Sequence, residues 1–256
     1  MRASATRSFL GHWNGYGRLL TLWLSVGATP FAAQHAPVTA EVVRRGMENQ
    51  AVSTGTSPNA LNVVVWLMPL DRSVQTSAAN SRPNETPELV QRNKTFQPHV
   101  LVVEVGTVVR FPNRDPFFHN IFSLFEGKRF DLGLYEAGSS RTVHFDRPGV
   151  SFLFCHIHAE MSAMVVAVGT PYFGLSDRSG RVTISDVPDG RYEMHVWYER
   201  SLPEDLKGLT RAVIISESAR SLNRIEVIDN PNFSLAHKNK YGLDYVPPPL
   251  PGYTRP

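Results

Sequence analysis

Cysteine is almost missing from this chain: one thiol, Cys155, in 256 residues. A single thiol excludes any disulfide within the chain and any Cys-x-x-Cys redox or haem-attachment motif. Long apolar runs are missing too. The most apolar stretch, Leu19–Ala28, is about ten residues, too short to span a bilayer comfortably. An excess of charge of one sign is also lacking. The 26 Lys and Arg exceed the 23 Asp and Glu by three, and Arg2, Arg7 and Arg18 all fall within residues 1–33, which contain no acid. The remainder of the chain is formally neutral, so nothing electrostatic asks for a nucleic acid. Between residues 93 and 170 no segment carries a sustained helical period, which argues against a helical bundle there.

The front of the chain is organised differently from the rest. Three arginines precede the apolar run, and the small residues Ala32, Ala33 and Ala36 come after it. This order predicts a secretory signal over residues 1–33, cleaved on export. The mature chain is expected in the periplasm or outside the cell, with no membrane span. An unpaired thiol in such an oxidising compartment needs a role. It could form an intermolecular bridge, act as a catalytic thiol, bind a metal or lie buried and inert.

Nineteen Pro and eighteen Gly punctuate short apolar alternations, which predicts an all-β chain of many strands. Residues 37–92 carry the period-two run Val38–Val43, the β-branched run Leu61–Leu67 and a polar loop over 71–92. Residues 93–170 are denser, with strands expected at His99–Val105, Val108–Phe111, Phe118–Leu124, Arg141–Phe145, Val150–Cys155 and Ala163–Val168. Residues 171–229 predict four more: Arg181–Ile184, Arg191–Trp197, Thr210–Ser216 and Leu222–Ile228. The tail, 230–256, holds Pro247-Pro248-Pro249 and Pro251-Gly252 and is expected to lie extended with little packed structure of its own.

The chemistry concentrates between His119 and Met161. Cys155-His156-Ile157-His158-Ala159-Glu160-Met161 places a thiol, two imidazoles and a thioether within seven residues, the thiol at the end of an apolar strand. His119 stands on an earlier strand, after Asn113-Arg114-Asp115-Pro116-Phe117-Phe118. One Cys, two His and a Met form the donor set of a mononuclear electron-transfer copper site. Thiolate and thioether favour Cu(I), while imidazoles also suit Cu(II), so such a site changes oxidation state with little rearrangement. A bound cation would also hold Cys155 as thiolate.

Here the sequence resembles a family. The Cys-x-x-His-x-x-Met spacing is similar to that of amicyanin-type cupredoxins. The upstream pattern resembles the plastocyanin–amicyanin class: Phe96-x-Pro98-x-x-Leu101-x-Val103-x-x-Gly106-x-x-Val109-x-Phe111-x-Asn113, then His119-Asn120. The resemblance covers residues 93–170 and implies a Greek-key sandwich carrying one type 1 copper. It implies His119, Cys155 and His158 as strong ligands, Met161 as the weak axial one, and Asn120 as a residue tying the two ligand loops together. Ala159 departs from the pattern, since a Pro often succeeds the second His. His156 is unusual beside the Cys and could compete for metal, and Met164 offers a second thioether. His99, His144 and His195 read as structural.

Other centres fit less well. Dinuclear copper needs two bridging thiolates. A trinuclear oxidase cluster needs further His-x-His pairs, and this sequence has none. Structural zinc usually draws four Cys or His ligands. A cysteine hydrolase could use Cys155 with a His base, but the sequence offers no convincing orienting Asn or Asp, and the apolar strand before the Cys suits burial.

A second, weaker resemblance covers the strands of residues 171–229. Ser176-Asp177-x-x-Gly180-x-Val182-x-Ile184-x-x-Val187-Pro188-x-Gly190-x-Tyr192-x-x-x-Val196-Trp197 is similar to the carboxypeptidase regulatory-like module, a small transthyretin-like β-sandwich. It implies docking or spacing and no catalysis. Whether residues 37–92 join this sandwich or the copper domain stays open at this level. The function expected is an exported, non-enzymatic carrier of single electrons between redox proteins. The alternatives are a copper storage or delivery protein and a non-catalytic interaction protein.

Overall fold

The computed structural model describes residues 36–45, 62–71, 74, 86–124 and 126–245. The expected signal over 1–33, most of the 71–92 loop and the proline-rich end of the tail lie outside the described residues.

Sixteen strands and one short helix make up the described residues, so the fold is all-β. In chain order they are β1 (Val38–Arg45), β2 (Val64–Pro69), β3 (Val90–Arg92), β4 (Thr95–Gln97), β5 (Val100–Glu104), β6 (Thr107–Pro112), β7 (His119–Ser123) and β8 (Phe130–Tyr135). Next come β9 (Ser140–Phe145), β10 (Gly149–Phe154), β11 (Ser162–Val168), β12 (Phe173–Leu175), β13 (Arg181–Ile184) and β14 (Gly190–Trp197). Helix α1 (Pro203–Leu209), β15 (Arg211–Ile215) and β16 (Ser221–Ile228) complete the set. No described helix is long and apolar enough to cross a membrane.

Two sandwiches form. In the first, β5-β11-β10-β7-β8 is one sheet. Opposite it stand the pairs β3-β4 and β6-β9, joined by bridges from Glu88 to Arg110 and from Gln91 to Asn113. Their inward residues, among them Phe111, Ile121, Phe145, Leu153 and Val165, close one core around Cys155 and Met161.

The second sandwich settles where the amino-terminal strands belong. β1 lies between β13 and β16, antiparallel to one and parallel to the other, and β2 lies between β12 and β14. Val38, Ala40 and Val42 of β1 and Val65 and Leu67 of β2 pack with Val182, Tyr192, Met194 and Ile225. The first sandwich is therefore inserted in the chain between β2 and β12.

The two central strands explain how the sandwiches stack. On β11, Ala163, Val165 and Ala167 face the first core, while Met164, Val166 and Val168 face the other way. On β2, Val65 and Leu67 face the second core, while Val64 and Trp66 turn outward. A strand covered on both faces reads as a continuous apolar run rather than an alternation. The outward residues meet in a third cluster with Val100, Phe152, Phe173 and Trp197. Beside it His99 Nε2 contacts Glu199 Oε2 at 2.8 Å, across the junction.

The carboxy-terminal segment runs along the surface without regular structure. Residues 229–245 carry no strand or helix and none of them is fully buried, but single side chains anchor them. Asn230 N–H donates to the Arg200 carbonyl at 2.6 Å, and Phe233 lies under the Arg200 guanidinium. Leu235 joins the junction cluster, and Tyr245 reaches Cys155. Single anchoring side chains set into otherwise polar sequence leave no periodicity to read.

Candidate metal centre

β7 carries His119 inward at its first residue, with every one of its five residues buried. β10 ends at Phe154, and the chain then turns through Cys155–Met161 into β11. The turn is closed by Met161 N–H to the His158 carbonyl and by Cys155 N–H to the Met161 carbonyl, each at 3.2 Å. The pairing of β10 with β11 ends at Phe154–Ser162, so the loop's ends are fixed by the ladder.

The structure brings His119, Cys155 and His158 together, with their donor atoms all within 4.8 Å of one another. Cys155 Sγ lies 3.8 Å from His119 Nδ1 and 3.5 Å from His158 Nδ1. Cys155 and His119 are fully buried, and His158 is half-buried. Metal bonds of about 2.0–2.3 Å at roughly 120° place donors about 3.6 Å apart, so the observed sulfur–nitrogen spacings suit one cation. A thiol carries one proton and can satisfy one imidazole lone pair, whereas two ring nitrogens face this sulfur.

Met161 is fully buried and belongs to the same core as Cys155. Met164 is also fully buried, but lies on the opposite face of β11 in the junction cluster. His156 is not in the donor cluster; its ring meets Tyr241 edge-on at 5.2 Å, and its buried Nδ1 has no partner. Asn120 is fully buried, and its side-chain amide donates to Asp131 Oδ1 at 2.7 Å rather than to the Cys155–Met161 loop. Its contact with that loop runs through the main chain, since its N–H points at the Cys155 sulfur.

Asp115 is the residue that sequence reading passed over. Its Oδ2 lies 2.8 Å from His119 Nε2. That leaves Nδ1 as the free donor facing the sulfur, the arrangement that orients metal-binding histidines. The carboxylate is itself fixed by the N–H groups of Asn93 at 2.6 Å and Lys94 at 3.0 Å. Burial alone would raise the Asp115 pKa, but these bonds and that from His119 hold it below the ordinary value. The only sequence-level hint was an acid four residues before the histidine. Asn113 supports the same turn, accepting from Asp115 N–H and donating to the Phe117 carbonyl. Phe117 lies against both imidazoles, 5.2 Å from His119 and 5.7 Å from His158.

Burial pushes the Cys155 thiol up from its ordinary pKa, against N–H groups of Asn120, Ile157 and His158 that favour the thiolate. Burial also lowers His158, helped by the nearby His119 and Lys94, which keeps its ring neutral and able to donate a lone pair.

No family model matches the chain, and no curated protein matches it. Among solved structures, it is similar to a purple cupredoxin from Nitrosopumilus maritimus, at 23% identity over 32% of this chain and 99% of that one, with a TM-score of 0.30. It is also similar to an oxidised amicyanin variant, at 19% identity over 36% and 90%, with a TM-score of 0.31. A third is the copper-containing nitrite reductase of Thermus scotoductus SA-01, at 19% identity and a TM-score of 0.32. That match covers 50% of this chain and spans only 28% of the reductase.

Proposed function

We propose that this protein is an exported carrier of single electrons with one mononuclear copper. His119, Cys155 and His158 would bind the metal as its strong ligands, with Met161 as a weaker thioether ligand. The observation that carries the reading is the convergence of one sulfur and two imidazole nitrogens, with Asp115 fixing which His119 nitrogen is free. Copper held there would supply a one-electron couple stable in both oxidation states.

The chain's own residues do the rest. Asp115 holds the His119 ring, and three main-chain N–H groups point at the Cys155 sulfur and support its deprotonated form. The surrounding core, with Met161, Phe111 and Leu153, excludes water. His158, the least buried of the three, would be the ligand nearest a redox partner. Ile157, its chain neighbour, and Phe118, the chain neighbour of the Phe117 that meets its ring, stand 44% and 55% exposed, apolar surface suited to a redox protein. The second sandwich, with no comparable donor cluster among its described residues, serves as a docking or spacing module.

A delivery role would draw on His156 and Met164, and neither lies with the donor cluster: His156 meets Tyr241, and Met164 faces the junction. Copper-loaded protein is expected to bind one equivalent and to show an intense thiolate-to-copper absorption that Cys155→Ser removes. A colourless chain that takes up no stoichiometric copper overturns the reading.

A further inference from the structure

The carboxy-terminal segment crosses from the second sandwich to the back of the donor loop and is anchored there at successive points. The His237 ring stacks on Phe154 with centroids 4.1 Å apart. Lys240 Nζ contacts Asp131 Oδ2 at 2.8 Å, on the carboxylate whose other oxygen takes the Asn120 amide. Tyr241 covers His156, and the Tyr245 hydroxyl donates to the Cys155 carbonyl at 2.5 Å.

These contacts fall on one flank only. Asn120, Phe154, Cys155 and His156 are contacted by the segment, directly or through Asp131, while Ile157, next to His158 in the chain, stays exposed. We propose that residues 233–245 form a positioning strap for the donor loop, with Tyr245 holding the Cys155 main chain so that copper is retained through redox cycling and reached only from the His158 side. Copper retention rests on the function proposed above; the positioning of the loop concerns the chain alone.

Two variants test it: Tyr245→Phe, which removes the single donated bond, and Lys240→Gln, which removes the anchor on Asp131. In the metal-free protein, amide hydrogen exchange in Cys155–Met161 should quicken roughly threefold to tenfold in Tyr245→Phe, the weight of one net hydrogen bond. Exchange in the strands of the second sandwich should stay as in the parent. In the copper-loaded protein, loss of Cu(I) to excess bicinchoninate should quicken by a similar factor, with the thiolate-to-copper band retained. Lys240→Gln should move both in the same direction by less. Unchanged loop exchange, or unchanged Cu(I) loss from loaded protein, overturns the proposal. A parent chain that binds no copper overturns the electron-carrier reading instead, and the exchange comparison still decides the strap.

Discussion

Asp115 does its work at the scale of one hydrogen bond. It selects the His119 nitrogen that faces Cys155, and removing such a partner typically lowers metal affinity by about 10- to 100-fold. Asp115→Asn should show a loss of about that size in a copper competition titration, with folding retained. The two methionines separate as sharply. Met161→Leu should shift the reduction potential, which an axial ligand tunes, and keep the thiolate absorption. Met164→Leu should leave both where they were, because Met164 faces the junction. Voltammetry and a visible spectrum of each variant check this. His119, Cys155 and His158 were legible in sequence because the short loop is dense in donor side chains and the first histidine sits on a neighbouring apolar strand. Asp115 was not, since an acid in a polar turn becomes a partner only once the turn of Asn113–His119 is folded.

At the scale of elements, the strands with clean alternation or a continuous apolar run were readable, and the short or irregular ones were not. β8 alternates poorly, with Asp131, Gly133 and Leu134 turned toward solvent or only half-covered, and β12 is three residues long. Helix α1 is only seven residues long, and Leu206 and Leu209 pack partly against the second core, too short a pattern to establish a helical period. β12 nonetheless fixes a close approach. A Cβ built on Gly174 would stand 2.6 Å from the Thr183 carbonyl oxygen and 2.8 Å from Val182 Cγ1. Backbone cannot yield as a flexible side chain can, so Gly174→Ala should destabilise the second sandwich by about 1–3 kcal/mol. Chemical denaturation should register the loss.

At the scale of the whole molecule, the junction between the sandwiches is an apolar core in its own right. Val64, Val100, Met164, Val166 and Val168 are all buried there, and each such side chain contributes about 1.5–3 kcal/mol relative to exposure. A fragment restricted to residues 86–170 should therefore expose one face of β11 and self-associate, measurable by sedimentation. The His99–Glu199 contact adds a pH dependence. Burial lowers the His99 pKa, but the bond and charge of Glu199 outweigh it and raise it above the ordinary 6.5. The contact's stabilisation is then fully present below about pH 6.5 and fades as pH rises through the raised value. Thermal unfolding of the parent and of His99→Gln should differ more at about pH 6 than at about pH 8.5. With His99 about a third exposed, the difference should stay below about 1 kcal/mol.

The insertion of one sandwich between β2 and β12 also imposes an order of events. Arg45 of β1 and its partner Glu226 of β16 are 181 residues apart. Every pairing within the inserted sandwich closes between residues 88 and 168. Contacts distant in sequence cost more loop entropy and form later. As the chain emerges from its amino terminus, the donor cluster can assemble while β1 and β2 still await their partners. The host sandwich thus closes after its passenger is in place, and the strap, which lies beyond β16, is laid down later still.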